Sequence, residues 1–105
     1  MRRIMMCLLA LIVCLAGVNP AAAHTPLCSC YLNSDGTVTC EGGFSDGSSA
    51  TGVSMTVKAA DGSVLTSGKI DENGEFSFEK PKVPFVVEFN AGPGHEVTVK
   101  GEDIK

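Results

Sequence analysis

Three cysteines and two histidines carry the chemistry that the side-chain types allow. Cys28 and Cys30 form a Cys-x-Cys pair, and Cys40 follows ten residues later. His24 and His95 stand near the two ends of the chain. Thiolates are soft donors that select transition metals, and imidazoles suit Ni(II), Co(II) and Cu(II). The two sets therefore offer candidate metal ligands, the imidazoles of His24 and His95 and the thiolates of Cys28, Cys30 and Cys40. The plainer reading of the cysteines is a disulfide with one thiol left over, since three is an odd number. On a strand, positions 28 and 30 face the same way. A three-residue loop at Ser34-Asp35-Gly36 sets Cys30 opposite Cys40, so a Cys30–Cys40 bridge is within reach.

No side-chain pattern offers catalysis. Serines are plentiful, but no nucleophile elbow surrounds one. The acidic residues sit at turns and outward strand positions, and no pair is placed as general acid and base. The segment Asp71-Glu72-Asn73-Gly74-Glu75 has the start of a calcium loop and lacks its later ligands. An enzyme is not expected.

The residues before His24 read as a secretory signal. Arg2 and Arg3 precede an apolar run over 4–18, and Ala21-Ala22-Ala23 supplies the small residues that a signal peptidase reads. The run is short for a membrane span. Cys14 follows Val13, a poor context for lipidation. Cleavage after Ala23 defines a signal peptide over 1–23 and a single domain over 24–105. It places the protein in the periplasm or outside the cell. It also makes His24 the N-terminus, so that one residue offers both an α-amine and an imidazole.

The signal takes both arginines and two of the five cysteines, Cys7 and Cys14, with it. Six lysines then face twelve acidic residues, a net charge of −6. Nothing basic remains to hold nucleic acid or an anionic membrane surface. No second apolar run could span a bilayer, so the exported chain is expected to be soluble.

Seven short strands must position these residues. Period-two alternation marks them over 27–32, 37–44, 53–59, 64–70, 75–79, 85–90 and 95–100, with turn residues between. Asn33-Ser34-Asp35-Gly36, Asp61-Gly62 and Asp71-Glu72-Asn73-Gly74 are hairpin turns, and 45–52 reads as a polar loop. Phe44, Phe76, Phe78, Phe85 and Phe89 supply the core bulk, because tryptophan is absent. Regularly spaced strands of this kind make an all-β, seven-stranded, two-sheet sandwich of immunoglobulin-like form. If the first and last strands pair in parallel, as in many sandwiches, His24 and His95 share one end.

Two stretches carry a family resemblance. Asp71-Glu72-Asn73-Gly74-Glu75-Phe76-Ser77-Phe78 resembles the D-x-x-G-x-F-x-F hairpin of carboxypeptidase-regulatory-like and transthyretin-like modules. Asn90-Ala91-Gly92-Pro93-Gly94-His95 resembles the D-A-G-x-G-H end of the small exported accessory component of nickel and cobalt energy-coupling-factor transporters (NikL/CbiL type). That family is also similar in a histidine after the signal, in the hairpin Asp35-Gly36-Thr37-Val38 and in the loop Phe44-Ser45-Asp46-Gly47. The resemblance implies an extracytoplasmic sandwich that delivers Ni(II) or Co(II) to a membrane permease, with His24 and His95 as ligands. The chain departs from it at Thr39, where the family often has histidine, at Cys28 and Cys30, where it favours apolar residues, and at Asn90. Thiolates standing in for a lost imidazole would reconcile the first two departures. Two further readings compete. One is a passive protein-binding sandwich without a metal. The other is a copper carrier that uses the same N-terminal histidine.

Overall fold

The computed structural model describes residues 24–105, so the signal expected over 1–23 lies outside the described residues. Seven strands follow one another: β1 (Pro26–Leu32), β2 (Thr37–Phe44), β3 (Ser54–Ala59), β4 (Val64–Lys69), β5 (Glu75–Glu79), β6 (Phe85–Asn90) and β7 (Glu96–Lys100). A 3-10 turn over Gly101–Asp103 ends the fold. All strand pairs are antiparallel, in one sheet ordered β1-β2-β5 and a second ordered β4-β3-β6-β7. The two-sheet sandwich read from the sequence is therefore the observed fold. No helix among the described residues is long and apolar enough to cross a membrane.

Turn chemistry sets the register. In the first hairpin the Asn33 N–H donates to Thr37 O (2.8 Å), and the Gly36 N–H donates to Asn33 O (3.1 Å). Gly36 has φ +91°, a conformation that a side chain makes costly. The same backbone pattern closes the hairpins at Ala59–Ser63 and Asp71–Glu75. With Ser34-Asp35-Gly36 as the loop, Cys30 pairs with Cys40 and Leu32 with Val38.

The tripeptide Asp-Gly-Ser/Thr recurs at 35–37, 46–48 and 61–63. In each, the aspartate Oδ1 accepts from the N–H and the hydroxyl two residues on, with the hydroxyl contacts at 2.7, 2.6 and 2.7 Å. These bonds favour the ionised carboxylate. The hydroxyl is the largest influence, and it holds Asp35, Asp46 and Asp61 below their ordinary pKa. The consequence for stability follows by linkage. A depressed folded-state pKa stabilises the fold above the unfolded value, about 3.9, and that stability is lost as pH falls through the folded values. Thermal midpoints should hold between neutrality and about pH 5 and fall below about pH 4. Replacing all three aspartates by asparagine should flatten that acid limb in a pH series of melting curves.

The core lies between the sheets. Phe89, Met55, Ile70, Val38, Val57, Val87 and Cys40 are fully buried. Phe78 meets Phe85 edge to face at 6.1 Å, and Phe89 meets Phe44 at 6.0 Å. Phe76 and Phe44 pack against the core from its margin. Gly42 makes room for Phe89, because a Cβ there would stand 2.6 Å from the ring. Ala50, in the segment read as a polar loop, and Ile104, after the last strand, are buried as well.

The parallel pairing of first and last strands, on which a shared end for the histidines is conditional, does not occur. β1 and β7 are not hydrogen-bonded as a parallel pair; they belong to different sheets. They do run alongside each other at one margin of the sandwich, where the Leu32 N–H donates to Lys105 O at 3.3 Å. β1 is committed on its one paired side to β2, so closeness to β7 comes from packing and not from a shared ladder.

Candidate metal-handling residues

The β1–β2 register fixes His24 as it fixes the cysteines. Pro26 pairs with Phe44. One step further, the Ser45 N–H donates to Thr25 O (2.9 Å), and the Thr25 N–H donates to Ser45 Oγ (3.1 Å). The next step places His24 beside Asp46, with Nδ1 3.0 Å from Oδ2. The other carboxylate oxygen is held by Ser48, so Asp46 is anchored before it meets the imidazole. Both partners are solvent-accessible, which keeps the pair weak as a source of stability.

His95 is set by a different turn. The His95 N–H donates to Gly92 O (2.9 Å), and the Ala91 N–H donates to His95 O (2.9 Å). Pro93 and Gly94 occupy the centre of the turn, with Gly94 at φ +79°. Proline then glycine with positive φ is the type II arrangement. Asn90 Oδ1 accepts from the Gly92 N–H at 2.8 Å and stiffens the entry. The Asp-to-Asn departure thus keeps a side-chain oxygen that accepts this bond.

The two histidines border the same open concavity, although with Asp46 they do not form a close ligand cluster of the kind the cysteines do. His24, Phe44, Ser48, Ala91 and His95 line one open concavity of about 310 Å³. His95 shares the inward parity of Val97 and Val99 and is half-buried at the rim. Its Nδ1 lies 3.1 Å from Pro93 O. A carbonyl oxygen has no proton, so in the neutral ring the hydrogen sits on Nδ1 and Nε2 keeps its lone pair. A backbone acceptor on one ring nitrogen is the usual means of orienting a ligating histidine. His24 differs in a useful way. A chelate with its own α-amine closes through Nδ1, the nitrogen now facing Asp46. An ion held so would sit beside the Asp46 carboxylate.

The cysteines form a second, separate group. Cys30 and Cys40 are joined by a disulfide, with Cα atoms 4.0 Å apart in a directly opposed pair. Cys28 is a free thiol, half-buried. Burial pushes its pKa up to about 11, so it is protonated and unreactive at neutral pH. The sulfurs of Cys28, Cys30 and Cys40 all lie within 4.8 Å of one another, and no histidine belongs to that group. The thiols and the imidazoles thus stand as two separate groups. In the bridged state Cys30 and Cys40 are spent as ligands.

Nor do the cysteines replace a side chain at position 39. Thr39 faces the other side of the sheet, where its hydroxyl meets Asn33 Nδ2 (2.8 Å) and Ser77 Oγ (2.9 Å). Asp46 is the residue that reading the sequence overlooked. Two signals could have found it: its Asp-Gly-Ser tripeptide, and the β1–β2 register carried two residues past the first strand.

Asp46→Asn keeps the turn but removes the charge beside His24. Affinity for a divalent ion is expected to fall on the order of tenfold, by competition against a chromophoric chelator.

Comparisons with protein families, with curated proteins and with solved structures give no match.

Proposed function

We propose that the mature protein is an exported metal-handling domain that binds Ni(II) or Co(II) and passes the ion to a membrane uptake permease. The observation that carries this reading is that His24 and His95 line one open concavity, with Asp46 beside the first and a backbone acceptor behind the second. Cleavage after Ala23 would add the α-amine of His24. Three nitrogens and a carboxylate then match the donors that Ni(II) and Co(II) accept. The resemblance of the Gly-Pro-Gly-His loop to nickel and cobalt transport accessories supplies the destination. Exposure at the end of the sandwich suits an ion that must be handed on.

The test is uptake. Cells lacking this protein should accumulate less radioactive nickel or cobalt, and the wild-type gene should restore uptake where His24→Ala and His95→Ala do not. Restoration by both variants would refute a role for the site.

Two other readings keep support. One disulfide with one half-buried thiol is the arrangement expected of a passive sandwich whose function lies in a partner. The same nitrogen donors also hold Cu(II) more tightly than Ni(II), so affinity in solution does not separate a copper carrier from a nickel one. The metal that accumulates in cells does.

A further inference from the structure

We propose that Cys28, Cys30 and Cys40 form a trigonal thiolate site for a soft monovalent cation, Cu(I), once the Cys30–Cys40 bridge is opened. This is independent of the histidine reading, since it uses no shared ligand.

The fold places the three sulfurs before any ion arrives. Cys28 and Cys30 share a face because they are two apart on β1. Cys40 faces Cys30 across the ladder. The residue directly opposite Cys28 is Gly42, which has no side chain, and Phe89 fills the space above it. Cys28 therefore has no cross-strand side chain opposite, and the sulfurs of Cys30 and Cys40 lie within its reach.

Distances favour a central ion. Bonds of about 2.3 Å to a central ion put three sulfurs about 4 Å apart. Cys28 already lies within 4.8 Å of both other sulfurs, and once their bond opens Cys30 and Cys40 need only move apart locally to reach that spacing. Donor count favours Cu(I). Structural Zn(II) takes four ligands, and among the described residues no fourth histidine, cysteine or carboxylate joins the group. Three soft thiolates suit Cu(I).

The chemistry balances with an external dithiol. Two electrons and two protons pass from the dithiol to Cys30 and Cys40; their bond breaks, and the dithiol leaves as its own disulfide. Three thiols then take one Cu(I) and release their protons.

The test titrates the whole mature protein with Cu(I) without oxygen, against a chromophoric Cu(I) chelator, before and after reduction with a phosphine. The reduced wild type should bind one Cu(I) per chain and keep its far-ultraviolet β-sheet signal. The bridged form should not compete. Cys28→Ser retains the Cys30–Cys40 bridge as a folding staple, and when reduced it should bind about 100-fold more weakly. His24→Ala and His95→Ala should leave Cu(I) binding unchanged while they remove Ni(II) binding. Equal affinity of reduced wild type and Cys28→Ser would overturn the proposal. So would equal binding by bridged and reduced protein, or loss of the β-sheet signal on reduction, because the donors would then no longer share a face.

Discussion

Phe89→Ala is expected to destabilise the domain by about 3–5 kcal/mol, the usual cost of emptying a buried aromatic site. Phe89 is fully buried, packs edge to face on Phe44, and lies over Gly42 so closely that a Cβ there would touch it. Neighbours cannot collapse into the space without moving two strands from different sheets. A domain of this size has a total stability of roughly 4–12 kcal/mol, so this one change removes a large share of it. The thermal midpoint should fall by more than about 12 °C. Phe44 also lines the histidine concavity, so a folded remnant should bind divalent ions more weakly. Melting curves with and without Ni(II) check both parts.

The second large effect concerns the N-terminus. One glycine added before His24 leaves both imidazoles and moves the α-amine away from its own ring. If the ion is chelated by the amine and Nδ1 together, affinity should drop about 100-fold while the melting temperature of the metal-free protein stays put. Loss of binding without loss of stability is the signature that separates a ligand from a structural group. Retention of full affinity in the extended protein would show that the α-amine is not a donor.

Local chemistry was readable from the residues; long-range pairing was not. The Ser34-Asp35-Gly36 loop dictates the register of β1 on β2. From that register follow Cys30 opposite Cys40 and, two residues beyond the strand, His24 beside Asp46. The first is legible in the sequence, while the second appears only when that register is extended two residues past β1. The seven strands were legible because their period-two pattern is strong and their turns are specific. Which strands share a sheet was not, since alternation says which face is inward and nothing about the neighbour. Hence β1 and β7 meet by packing, not by the expected ladder.

Burial outside the pattern was equally hard to see. Ala50 and Ile104 lie in segments without alternation, and they are buried because the sandwich closes over them. Thr39 has outward parity yet is covered by Asn33 and Ser77 through hydroxyl and amide bonds. Polar networks of this kind leave no hydrophobic trace in a sequence. That His24 and His95 border one concavity depends on both ends of the fold, so sequence spacing alone could only suggest it.

The most direct measurement is calorimetric titration of Ni(II) into the mature protein, with its N-terminus verified as His24 and its Cys30–Cys40 bridge intact. One ion bound with submicromolar affinity, and lost in His24→Ala and in His95→Ala, is the predicted result. No binding tighter than micromolar, or binding that both variants retain, would contradict a metal-handling role.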